Sequence, residues 1–232
     1  MTIGVRTGTP VSVRHNKQCV LVALSLALLL SSCKEGVWTG DQQDTSVAVF
    51  GDSLVYSSEA DDFNAPNTYV TDDLVALGSY AYVTAWIGAS VAYSYANLWN
   101  LPSRNGVVPD VLVLALGTND MRVNPVTGLP YATVEDARLV LQAWLAEVPD
   151  ACVRLVGVAE SITTWGLDVT GPGWNAMLSE EAALFGNAAY VPWEPLAAWT
   201  ANGTSPHLAE DGEDAYRALI VSAAAGCLSS AS

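Results

Sequence analysis

Short runs of uninterrupted apolar residues alternate along this chain with stretches whose apolar residues recur every three or four positions. The first kind fits strands buried on both faces, and the second fits helices laid over them. The apolar runs predict five strands, at 46–50, 80–86, 110–116, 152–159 and 188–191. The third is the clearest, because Val111-Leu112-Val113-Leu114-Ala115-Leu116 is apolar throughout. Helices are expected at 67–77, with Gly78 as a stop, and from Ser90 through Leu98. Others are expected at 133–147 with Thr133 as N-cap, at 174–185 and at 211–225. This βα rhythm implies one α/β domain whose parallel sheet is covered on both faces. No internal repeat or second domain is visible.

The ends change the picture first. Arg6, Arg14 and Lys17 form a basic, acid-free leader, followed by an apolar run from Val20 to Leu30 and by Leu30-Ser31-Ser32-Cys33. The run is shorter than the ~20 residues that span a bilayer and fits the apolar part of a secretory signal. Leu-Ser-Ser-Cys resembles the bacterial lipoprotein signal, which implies that Cys33 is acylated and becomes the mature N-terminus. A plain signal peptide with an incidental cysteine is the alternative. The expected organisation is therefore a signal peptide at 1–32, a polar tether at 33–45 and a domain at 46–232. The expected location is the bacterial cell envelope, with the membrane reached through a lipid anchor only.

Charge and cysteine usage narrow the partners. After Cys33 there are 24 acidic residues against six basic ones, a balance of −18. No basic stripe exists to bind nucleic acid, and an anionic lipid surface would repel the domain. Cys152 and Cys227 remain once Cys19 and Cys33 are accounted for, and an oxidising compartment invites a disulfide between them. Two buried thiols are the alternative. The topology favours the bridge, because Cys152 starts a strand at the amino edge of the sheet and Cys227 follows a helix running back toward that edge. His15 and His207 are the only histidines, too few for a zinc site of His/Cys type. No dinucleotide motif is present, so no cofactor or metal is implied.

Loops that follow parallel strands gather on one edge of the sheet, where ligands bind. The polar residues of those loops are Ser53 after strand one, Gly88 after strand two, Asn119 after strand three and His207 after strand five. Acyl transfer needs such a set: a hydroxyl, a base and N–H donors aimed at a developing oxyanion.

Gly51-Asp52-Ser53-Leu54, Gly88 within Ile87-Gly88-Ala89-Ser90, and Gly117-Thr118-Asn119-Asp120 resemble the first three sequence blocks of the GDSL, or SGNH, serine hydrolase family. Trp174-Asn175-Ala176-Met177-Leu178 resembles a helix start common in that family, and the run from His207 to Tyr216 is similar to its last block. The resemblance covers residues 46–226. It implies a three-layer flavodoxin-like fold with a five-stranded parallel sheet and esterase-type chemistry through an acyl-enzyme. It assigns Ser53 as nucleophile, His207 as base, and the Ser53 N–H, Gly88 N–H and Asn119 amide as oxyanion donors. One position departs from the pattern. Thr204 stands where the family usually has the aspartate that orients the imidazole. A backbone carbonyl, Glu194, Glu210 or Asp211 are the substitutes to consider.

Small-molecule, glycan or lipid esters are the expected substrates. Trp165, Trp174, Trp193 and Trp199 follow strands four and five, where they would either stack on sugar rings or pack the loops. Two alternative functions share this reading: a non-catalytic envelope lipoprotein that binds a glycan or partner on the same scaffold, and an acyltransferase to a glycan hydroxyl.

Overall fold

A computed structural model describes residues 33–34, 37–59, 69–99, 106–196, 200 and 207–229. The expected signal peptide lies outside the described residues, as do Trp199 and Thr204.

Five parallel strands form the sheet: β1 (Thr45–Gly51), β2 (Ser79–Trp86), β3 (Val111–Ala115), β4 (Cys152–Val156) and β5 (Ala188–Val191). Their order across the sheet is β2-β1-β3-β4-β5, with Val49 in register with Val83 on one side and Val113 on the other. This is the order of the flavodoxin-like fold that the family resemblance implies. Its strand order reverses at β1, so a crevice opens beyond the carboxyl ends of β1 and its neighbours. A two-residue antiparallel strand, Cys33–Lys34, adds to the β2 edge opposite Trp86 and Ala85. Trp38 stacks on Tyr80 at 4.7 Å, and Thr39 exchanges backbone hydrogen bonds with Ala81, so part of the 33–45 stretch lies against the sheet.

Seven helices are described: α1 (Ser53–Glu59), α2 (Tyr69–Ala76), α3 (Val91–Asn97), α4 (Thr118–Met121), α5 (Val134–Glu147), α6 (Leu167–Leu184) and α7 (Glu210–Leu228). Thr133 caps α5 as expected, its Oγ1 accepting the Asp136 N–H at 3.0 Å. Between sheet and helices, Phe50, Trp99 and Trp144 form an aromatic cluster with centroids 5.1–5.8 Å apart. Arg138 of α5 ties that layer to α6 through Glu181 (2.7 Å), a carboxylate only 1% exposed that also accepts from Gln142 at 3.0 Å.

Two expectations shift. Strand four ends at Val156, not at residue 159. Val158 is buried, but its N–H and C=O bond to the Asn175 side chain at 2.9 and 2.8 Å in place of a strand neighbour. Helix α6 begins at Leu167, seven residues before the expected start, and runs through Gly171-Pro172-Gly173. Gly171 permits this, because a Cβ there would already lie 3.3 Å from Val158.

Cys152 and Cys227 form the disulfide, with Cα atoms 5.8 Å apart. It joins the start of β4 to the end of α7 at the amino edge, away from the crevice. Closing a loop of 75 residues contributes ~4 kcal/mol in the chain-entropy model.

Candidate active site

Ser53 is the first residue of α1, directly beyond the Gly51-Asp52 turn that ends β1. The turn is tight because Gly51 has no side chain; a Cβ there would meet Val55 at about 2 Å. Asp52 fixes the Ser53-Leu54 backbone, its Oδ1 accepting the Leu54 N–H at 2.9 Å. Ser53 is 7% exposed, and neither its N–H nor its hydroxyl bonds to any described residue.

Hydrogen bonds stitch the other two loops to this one. Asn119 donates from Nδ2 to Ala89 O at 3.1 Å and approaches Asp52 Oδ2 at 3.5 Å. Thr118 also hydrogen-bonds the Asp52 carboxyl. Asp120 accepts the Val91 N–H at 3.1–3.2 Å, which holds the start of α3 and the Gly88-Ala89-Ser90 turn before it. Gly88 has φ +83°, a conformation that favours glycine, and its N–H has no partner among the described residues. Gly117, at φ +126°, lies under the Trp174 indole, which a Cβ would strike at 2.3 Å. That contact sets the path of the chain into Thr118 and Asn119.

Both bridging carboxyls are buried, and burial disfavours their ionised forms. Desolvation raises Asp52 to about 7, with the charge of Asp120 adding to it and the Leu54 and Thr118 hydrogen bonds opposing. Desolvation likewise raises Asp120 to about 6, against the Val91 hydrogen bond. Behind them, burial and the Asp52 charge push the Tyr216 hydroxyl well above its ordinary value.

A cleft of about 480 Å³ opens beside these loops, lined by Gly88, Ser90, Asn119, Asp120, Arg122 and Tyr131 among others. His207 reaches this region through Trp165. The two rings meet edge to face at 5.5 Å, and the Arg122 guanidinium lies 4.5 Å from the Trp165 centroid. His207 is exposed, and α7, which it precedes, packs against α1. No hydrogen bond joins Ser53 to His207 among the described residues.

The structure thus gathers Gly88 and Asn119 on one cleft, ties Asn119 to the residue before Ser53, and links His207 to the cleft wall by ring contacts. Glu194 is engaged elsewhere, its two oxygens accepting the Glu160 and Ser161 N–H groups at 2.9 and 3.1 Å. Trp174 is fully buried, and Trp193 packs on Tyr216 at 4.8 Å, so both belong to the core. Asp52, Asp120, Arg122 and Tyr131 are additions to the sequence-derived set, whereas Trp165 is among the tryptophans expected near the site. Arg122 carried one legible signal, as a rare cation three residues after Asn119. No metal-binding cluster of His, Cys, Asp and Glu occurs among the described residues.

No protein-family model and no curated protein matches the sequence. Solved structures do match. The chain is similar to a carbohydrate esterase family 2 enzyme of Corynascus thermopiles (Myceliophthora fergusii), with TM-score 0.59 and 19% identity over 83% of this chain and 68% of that one. It is similar to a GDSL-like lipase of Bacteroides thetaiotaomicron, with TM-score 0.57 and 14% identity over 82% and 92%. The C-terminal catalytic domain of peptidoglycan O-acetyltransferase A from Streptococcus pneumoniae matches with TM-score 0.56 and 16% identity over 81% and 94%. The chain has the α/β fold of the GDSL/SGNH hydrolases.

Proposed function

We propose that this protein is a serine ester hydrolase of the GDSL/SGNH type, with Ser53 as nucleophile and His207 as base. His207 accepts the Ser53 proton as the hydroxyl oxygen attacks the acyl carbonyl. The tetrahedral oxyanion is met by the N–H groups of Ser53 and Gly88 and by the Asn119 amide. Collapse expels the alcohol, which takes the proton back from His207 and leaves an acyl-enzyme on Ser53. Water, deprotonated by the same histidine, then releases the acid and restores the serine. The observation that carries this reading is the Gly88 N–H, unpartnered among the described residues, on the same cleft as Asn119, whose amide approaches the turn that presents Ser53.

Glu194 is engaged by the Glu160 and Ser161 N–H groups, and the His207 imidazole meets the Trp165 ring edge to face. Acyl transfer to a glycan hydroxyl is the second reading, supported by the likeness to an O-acetyltransferase domain. Lipidation at Cys33 and an envelope location complete the proposal; the signal-like leader supports both.

Turnover of 4-nitrophenyl acetate tests it. Activity is expected in the wild type and a loss of at least about a thousandfold in Ser53→Ala and His207→Ala. Equal rates in all three proteins would overturn the assignment. Analysis of products with and without a saccharide acceptor separates hydrolysis from transfer.

A further inference from the structure

Resting on the ester-cleaving reading, we propose that Arg122 is the receptor for an anionic group, a carboxylate or a phosphate, carried by the substrate. The substrate class is then an acylated acidic saccharide or a similarly charged ester, not a neutral one.

Arg122 lines the same cleft as Gly88 and Asn119 and caps the short helix that carries Asn119. Its guanidinium is half-buried, yet it forms no ion pair or side-chain hydrogen bond with any described residue. The other described arginines are engaged. Arg138 pairs with Glu135, Glu180 and Glu181, Arg217 with Asp73 and Asp214, and Arg154 donates to Ala223 and Val153 carbonyls. In a chain this rich in acids, a cleft arginine with no carboxylate partner among the described residues is conspicuous. Asp120 also lines the cleft, but its carboxyl is held by the Val91 N–H.

Aromatic faces hold the guanidinium instead. Trp165 lies 4.5 Å away and Tyr131 5.6 Å away. Contact with ring faces immobilises the guanidinium and leaves its in-plane N–H groups for an incoming anion, the fork geometry that matches carboxylates and phosphates. The protein also accepts backbone strain to keep Trp165 there. This residue has φ +73°, unusual for a bulky side chain, and its carbonyl is tied to the Val123 N–H at 2.7 Å. Since Trp165 touches both His207 and Arg122, a bound anion would be registered against the base as well as the oxyanion donors.

Three matched acetate esters test the proposal on the full chain: acetylated methyl glucoside, the corresponding glucuronate and the corresponding 6-phosphate. The expected result is a kcat/KM at least about tenfold higher for one of the anionic esters than for the neutral one. This ratio should fall to near one in Arg122→Met and to an intermediate value in Arg122→Lys, which keeps the charge without the fork. The preferred anion identifies the source. Equal kcat/KM for all three esters, or a preference that survives in Arg122→Met, would overturn the proposal. Calorimetric titration of Ser53→Ala with glucuronate and with glucose 6-phosphate separates the two readings. Binding that disappears on adding Arg122→Met supports the anion site even if no ester is turned over. No binding of either anion overturns it even if neutral esters are cleaved.

Discussion

Replacing Asp52 with asparagine isolates the electrostatic cost of building the serine turn on a buried acid. Burial raises this carboxyl from 3.8 to about 7. The native state therefore holds a proton that the unfolded chain releases between those two values. In that window the unfolded state binds fewer protons, so stability falls as pH rises and levels off above the folded value. Each pK unit corresponds to ~1.4 kcal/mol, so a shift of about three units makes ionised Asp52 cost about 4 kcal/mol at pH 8 relative to its protonated form. In Asp52→Asn the amide oxygen can still accept the Leu54 N–H, while the amide N–H groups face the donors Thr118 and Asn119. That mismatch costs ~1–3 kcal/mol at every pH. Urea titrations of both proteins from pH 4.5 to 8 provide the assay. The stability of the variant relative to the wild type should improve by about 3–4 kcal/mol across the range. Subtracting the two curves removes the general relaxation of an acidic chain at low pH. A difference independent of pH would refute the reasoning.

The frame and the proposed oxyanion donor can be perturbed separately. Arg138→Met strands the buried Glu181 carboxylate, so urea unfolding should show a loss of ~3–5 kcal/mol, largely recovered when Glu181→Gln is added. Gly88→Ala places a Cβ in open space but in a left-handed conformation. Its stability should fall by only ~1 kcal/mol while kcat for an acetate ester drops by about tenfold or more, read from parallel unfolding and steady-state assays.

Much of the fold was legible because burial writes a plain pattern. β3 is apolar at every position since both faces are covered, and Thr133 precedes a periodic run as a cap should. Gly88 and Asn119 could be expected on one edge because strand ends in a parallel sheet share a side, and both line the same cleft. Legibility failed where a side chain replaces the backbone as partner. Val158 and Ala159 are as apolar as a strand, yet Asn175 takes the Val158 backbone groups. It failed again at Gly171-Pro172-Gly173, where residues that usually break a helix instead let one press against the loop after β4. The contact between Arg122 and Trp165 joins two loops distant in the chain, and no local pattern announces it. Trp38 and the Thr39–Ala81 backbone pair likewise dock a polar stretch onto the sheet edge.

The central claim is that Ser53 is presented to an acyl carbonyl beside Gly88 and Asn119. Reaction with a fluorophosphonate, followed by intact mass and peptide mapping, tests it most directly. A single adduct on Ser53, absent from Ser53→Ala and slowed in His207→Ala, is the predicted result. An adduct on another residue, or none on a folded protein, would contradict the account.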